Sequence, residues 1–217
     1  MPRITALNPR RRGSGAMVYL DGSFGFALRA ETVARHHLRV GLDLSDEQVR
    51  ELQTEDERSS ISESTWRLLS YRARSRQELR QRLLRKGHAA AAVDAELERL
   101  AGLGYLDDEA FAVALVQARQ TGAGARGAAA LRFELRRKGI APDVAATALA
   151  GADELEAAHR AAAKRSRSLA QLERSDFSHR LLGFLQRRGF GYDVARRAVE
   201  TVWRERNGEP LEDPELP

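Results

Sequence analysis

The chain has 217 residues, 36 of them lysine or arginine and 31 aspartate or glutamate, for a formal net charge of +5. It contains no cysteine, which excludes disulfides and thiolate chemistry. No apolar run approaches the roughly 18 residues of a membrane-spanning helix, and residues 1–12 lack the apolar centre of a signal peptide, so a soluble, cytoplasmic protein is expected.

From the N-terminus, residues 3–8 read as a short strand or extended arm. The apolar runs 16–20 and 24–28 flank Asp21-Gly22, a dipeptide suited to the positive φ of a tight hairpin turn. Residues 30–37 read as one or two helical turns, stopped near Gly41. Ser45 and Gln48 form a capping-box pair ahead of Val49 and Leu52, so a helix is expected to start near Asp46. Residues 53–62 are polar and acidic, which fits a linker or an exposed helix end. Beyond Ser62, Trp66, Leu69 and Ala73 share one helical face. Ser75 is placed to cap a second helix with Leu79, Leu83 and Leu84 inward, and Val93, Leu97 and Leu100 mark a third. Asp107 is the expected cap of the next helix, lined by Phe111, Leu115 and Ala118. A glycine-rich joint over 121–127 follows, then helices over 128–138 and 143–150. From Asp153 the plan recurs with a longer connection through 166–175. Ser178 opens the second helix, and a third, from Tyr192-Asp193, carries Val199, Val202 and Trp203. The tail 207–217 holds four acids and three prolines and is expected to be disordered.

One pattern occurs three times: Leu79-x3-Leu83-x-Arg85-Lys86-Gly87, Leu131-x3-Leu135-x-Arg137-Lys138-Gly139 and Leu181-x3-Leu185-x-Arg187-Arg188-Gly189. Each copy puts two leucines on one helical face, then two cations, then a glycine able to end the helix. Self-similarity at a spacing of 52 and 50 residues marks a repeated supersecondary unit. Each unit is near the lower size limit for a self-sufficient core, so neighbours are expected to lean on one another. Such a string of helical modules with basic helix ends suits a long, repetitive, charged partner better than a small substrate.

The charge distribution agrees. Cations outnumber acids fifteen to ten over 61–150 and eleven to eight over 151–205, and net positive charge attracts polyanions or acidic surfaces. Between residues 72 and 86 lie Arg72, Arg74, Arg76, Arg80, Arg82, Arg85 and Lys86 against the single acid Glu78. Positions 72, 76 and 80 form a stripe if the helix is continuous; a break near Ser75 would splay them. The cation pairs before each glycine have two readings: they complement the helix dipole, or they bind phosphates and carboxylates. Aromatics are not interleaved with cations in sequence, so no base-stacking platform is evident.

Catalytic constellations are missing from the sequence. The histidines, at 36, 37, 88, 159 and 179, make no H-x-x-x-H pair, and no G-x-S-x-G elbow occurs. Gly122, Gly124 and Gly127 spell G-x-G-x-x-G, but a helix rather than a strand precedes them, so the dinucleotide reading fails. A flexible corner is the plainer reading; the weaker functional variant is a phosphate held by free amides at Ala128. Asp107, Asp108 and Glu109 read as a helix start rather than a metal site. No cofactor is implied.

The hairpin, Arg74-Ser75-x-x-Glu78-Leu79, Lys86-Gly87, Gly104-Tyr105-Leu106-Asp107-Asp108-x-x-Phe111-Ala112 and Leu131-x-x-Glu134-Leu135-x-x-Lys138-Gly139-Ile140 together resemble the RecX regulatory family, modulators of the RecA recombinase. The resemblance spans nearly the whole chain and is most specific over 72–149. It implies a mainly α fold: an elongated tandem array of three three-helix repeats with a small N-terminal β-hairpin-containing domain. Its expected boundaries are 1–60 for the N-terminal domain, 61–104, 105–151 and 152–206 for the repeats, and 207–217 for the tail. It implies a non-enzymatic monomer that binds the groove of a RecA–DNA filament, with weaker or indirect contact to single- or double-stranded DNA and no membrane. Leu79, Leu83, Leu131, Leu135, Leu181 and Leu185 are then core, and Gly87, Gly139 and Gly189 corners. The contact candidates, chosen on charge, are the seven cations of 72–86 with Arg126, Arg136, Arg137, Lys138, Lys164, Arg165, Arg167, Arg187 and Arg188. The competing reading is a helical-repeat protein that binds DNA directly, such as a transcriptional regulator, since three-helix units resemble helix-turn-helix modules.

Overall fold

The computed structural model describes residues 1–10, 14–121 and 124–208. The tail beyond 208, and Gly122 of the glycine-rich joint, lie outside the described residues. The chain divides into two compact units, Met1–Arg74 with Leu79–Tyr105, and Ser75–Glu78 with Leu106–Pro217.

The first unit opens with an antiparallel sheet of β1 (Ile4–Pro9), β2 (Gly15–Leu20) and β3 (Ser23–Arg29), in that order. Asp21 and Gly22 both take positive φ, +50° and +87°, the two-residue turn whose twist matches a right-handed hairpin. Ile4, Val18, Phe26 and Leu28 are buried with Leu38, Leu44 and Leu52, which lie beyond the sheet in sequence. The short α1 (Ala30–Arg35) precedes α2 (Asp46–Tyr71), whose start carries both halves of the capping box: Gln48 N donates to Ser45 Oγ at 3.1 Å and Ser45 N to Gln48 Oε1 at 2.7 Å. Residues 53–62 are the middle of this 26-residue helix and not a linker. Leu52 packs in the sheet's core, and Ile61 and Thr65 are buried further along the same helix. The helical face read at Trp66, Leu69 and Ala73 is not the buried one: Leu69 is half-buried, Ala73 is exposed, and Trp66 is 42% exposed with its ring edge-on to Tyr105 at 4.7 Å. The helices α3 (Arg76–Arg85) and α4 (Ala90–Gly102) follow, with Leu79, Leu83, Val93, Leu97 and Leu100 fully buried.

The second unit holds α5 (Asp108–Thr121), α6 (Ala128–Arg137), α7 (Pro142–Ala150), α8 (Glu154–Ser166), α9 (Arg174–Arg187) and α10 (Tyr192–Asn207). Asp107 caps α5 through Ala110 N at 2.8 Å. The buried face of α5 is Phe111, Ala112, Val116 and Gln120, one position away from the expected Leu115–Ala118 face. The helix α9 starts at Arg174, so Ser178 lies inside it rather than opening it. Two cores result, one around Leu131, Leu135 and Ile140 and one around Phe177, Leu181 and Leu185.

The repeated leucine-glycine pattern makes the same object three times. Gly87, Gly139 and Gly189 have φ of +91°, +76° and +86°, and the residue after each donates its amide to the carbonyl of the second leucine, five positions back. That is a Schellman ending, which satisfies carbonyls left over at a helix C-terminus and requires a left-handed residue. All six repeat leucines have no solvent exposure.

The start of a second helix docks on such a corner in the same way twice within the second unit. Ser75 Oγ donates to Lys138 O at 2.6 Å and Arg76 N to Asp108 Oδ1 at 2.9 Å, with Gln77 seated on Gly139. Fifty-two residues later, Gly127 N donates to Arg188 O at 3.0 Å and Ala128 N to Glu154 Oε1 at 2.7 Å, with Ala130 seated on Gly189. In both cases the residue ahead of the helix donates to the carbonyl before the glycine, through a hydroxyl at Ser75 and a backbone amide at Gly127, and the first helical amide is satisfied by the acid that begins another helix. A Cβ on Gly127 would lie 2.3 Å from Gly189 O and Phe190 N, so this glycine serves close approach rather than flexibility. The amides at Ala128 and Ala129 are both bonded internally, which removes the phosphate-binding reading of that helix start.

Candidate functional site

The candidate cations divide by what already holds them. Arg80 is clamped through two bonds to Asp94, at 2.6 and 3.0 Å. Arg74 donates to Leu68 O at 3.0 Å, and Arg72 to Ala73 O at 2.8 Å, both around the end of α2. Lys138 pairs with Glu78 at 2.8 Å, Arg126 with Glu134 at 3.2 Å, and Arg188 reaches Ala125 O at 3.2 Å. Lys86 donates to Ser64 at 3.1 Å; burial and the nearby Arg67 lower its pKa. Arg76 is half-buried where α3 begins. The stripe 72–76–80 does not form, because the chain breaks between α2 and α3.

The remaining candidates make no ion pair among the described residues: Arg82, Arg85, Arg136, Arg137, Lys164, Arg165, Arg167 and Arg187. Arg85, Arg137 and Arg187 occupy the same place in the three copies, two residues before the corner glycine, and all are exposed. A cation there is favoured by the helix dipole, and its charge remains available to a partner. Repetition therefore supplies one open arginine per helix end.

Sequence reading missed the aromatics that these arginines meet in space. The Arg136 and Arg137 guanidinium groups lie 5.4 and 6.0 Å from the Phe133 ring centre, and Arg165 and Arg188 lie 5.7 and 4.6 Å from Phe184. The view that aromatics and cations are not interleaved is thus corrected. The i, i+3 and i, i+4 spacing of Phe133 to Arg136 and Arg137 was the available signal. Arg132, also exposed and absent from the candidates, belongs to the same face.

Two acids are structural. Glu96 is buried, and Arg99 grips both its oxygens at 2.7 and 2.8 Å while Arg58 lies at 3.6 Å. Burial alone would raise its pKa; hydrogen bonds from Arg99 and Ser62 and the charges of Arg99 and Arg58 together bring it below the ordinary value. Hydrogen bonding from Arg119 lowers that of Glu134, against burial and helped by the charges of Arg119, Arg126 and Lys138. These residues line an open cleft of about 670 Å³ only in the case of Glu96, Arg58 and Arg99, with Arg35, Arg50 and Glu55. Of the histidines, His36 meets Glu55 at 2.7 Å and His159 meets Glu205 at 2.9 Å. No group of three potential metal ligands occurs among the described residues, and no helix among them is long and apolar enough to cross a membrane.

Fold and site define a class: a tandem three-helix-repeat protein whose helix ends present arginine. Family models describing the first, second and third three-helix domains of RecX match residues 63–100, 107–149 and 152–199. The chain is 30% identical to the regulatory protein RecX of Bacillus licheniformis, over 92% of this chain and 77% of that one. It is 36% identical to that of Amycolatopsis mediterranei, over 73% of this chain and 92% of the relative. A crystal structure of a regulatory protein RecX shares the fold at a TM-score of 0.64 and 23% identity, covering 94% of this chain and 99% of the other. The chain belongs to the RecX family of regulatory proteins.

Proposed function

We propose that the chain is a negative regulator of the RecA recombinase. It binds the helical groove of the RecA–DNA filament through its basic modules and blocks filament extension or promotes disassembly. ATP hydrolysis, strand exchange and co-protease activity fall as a consequence. The observation that carries this reading is family membership combined with an open arginine at the same place in all three helix ends. A filament repeats one protomer surface, and successive modules with equivalent cations match it. Weak contacts linked in one chain gain avidity from high effective concentration. The protein acts as a cytoplasmic monomer without catalytic chemistry, and its contact with filament DNA is weaker or indirect.

The test is RecA hydrolysis of ATP on single-stranded DNA with increasing amounts of this protein. Dose-dependent loss of turnover supports the reading, and unchanged turnover at saturating dose defeats it. Direct action on DNA as a transcriptional regulator is the second reading, favoured by the basic face of α6; it predicts tight duplex binding without recombinase, falling steeply with salt.

A further inference from the structure

The outer face of α6 differs from its counterparts in the other repeats. Aligning the repeat leucines sets Arg132 opposite Arg80 and Leu182, and Phe133 opposite Gln81 and Gly183. Arg80 is neutralised by Asp94, but the position equivalent to Asp94 in the second repeat is Ala146, and Arg132 has no ion pair among the described residues. The only acid in α6, Glu134, is turned to Arg119 and Arg126, at 2.8 and 3.2 Å. Arg132, Arg136 and Arg137 therefore stand uncompensated on one exposed face.

At their centre Phe133 is 53% exposed. The two other repeats fold with glutamine and glycine at this position, so the repeat architecture does not require an aromatic there. Leaving half a phenyl ring in water forgoes burial that a core position would supply. The first turn of the helix is locked by the Gly127–Arg188 and Ala128–Glu154 bonds, so ring and cations stand on a fixed support.

We propose that the α6 face is a binding site for single-stranded nucleic acid, with an unstacked base on the Phe133 ring and backbone phosphates on Arg132, Arg136 and Arg137. A flat apolar ring among uncompensated cations matches a ligand with π-faces and phosphates at alternating positions. A duplex offers the phosphates but hides its base faces, and an acidic protein surface offers charge without a planar group. The proposal goes beyond the filament reading, because it concerns the chain alone.

The experiment measures binding of the purified full-length protein to fluorescent oligo(dT), oligo(rU) and a duplex of equal length, with no recombinase present. Phe133→Ala should weaken single-strand binding roughly tenfold, leave duplex binding unchanged and leave the melting temperature near that of the parent. Phe133→Trp should retain affinity and add an emission that the oligonucleotide quenches. Arg132→Gln with Arg136→Gln should reduce the salt dependence of binding. Equal affinity of Phe133→Ala and parent for oligo(dT), equal loss on duplex, or no oligo(dT) binding by the parent would overturn the proposal. A Phe133→Ala protein that keeps oligo(dT) affinity but loses recombinase inhibition would assign the face to protein docking instead. Recombinase inhibition is read in a separate assay, so failure here and failure of the filament reading are distinguishable.

Discussion

Leu131 sits without solvent exposure in the core cluster with Phe111, Leu135, Ile140 and Ala145. Leu131→Ala should cost about 2–5 kcal/mol, from lost transfer energy and the cavity left behind, read as a lower urea midpoint. Glu96 makes a pH-dependent contribution. Against its burial, Arg99, Ser62 and Arg58 hold its folded pKa below the ordinary glutamate value, so its stabilisation is present above that ordinary value and is lost as pH falls through the folded pKa. Glu96→Gln should therefore destabilise the protein at neutral pH by about 1–3 kcal/mol. The gap between variant and parent should close in acid, as denaturation midpoints from pH 7 to 3 will show. Both outcomes follow from what a side chain touches: the sequence marked Leu131 through its spacing, whereas for Glu96 spacing offered only Arg99, three residues on, and its other partners, Arg58 and Ser62, come from another helix.

At the level of elements, the helix ends do the organising. Ser75, Gly127, Gly139 and Gly189 build two equivalent junctions, in which a helix start covers a left-handed corner. Gly127 has an ordinary φ of −79°, so only space limits it. Gly127→Ala should lower stability by about 1–3 kcal/mol, since the backbone at Gly189 must move. Gly124→Ala, whose nearest contact would be the tip of Arg188 at 3.6 Å, should melt within a degree or two of the parent. Equal melting temperatures for the two variants would show that the junction is loose. The helix α2 carries the opposite lesson: its polar middle looks like a linker because one stretch of helix serves the sheet first and then the first repeat, so no single apolar face runs its length.

Across the whole molecule, the formal surplus of cations separates into bound and open charge. Neutralising Arg80, Arg126 and Lys138, each already paired with an acid, should lower stability and leave the salt dependence of partner binding nearly unchanged. Changing Arg85, Arg137 and Arg187 together to glutamine should leave the melting temperature nearly unchanged and abolish recombinase inhibition, whereas each alone should weaken it only slightly. ATPase titrations and thermal melts on the two triple variants would separate these outcomes.

The residues alone determined the count of repeats, the hairpin, the capped start of α2 and the three glycine corners. Those features depend on neighbours within a few positions, through helical spacing, turn φ and local hydrogen bonds, and such information is written along the chain. Tertiary structure decided which arginines are free. Asp94, Glu134 and Glu78 reach Arg80, Arg126 and Lys138 from 14, 8 and 60 residues away, and Gly127 meets Gly189 across 62. A charge or a contact is cancelled by what lies within a few ångströms, and that distance exists only once the chain has folded.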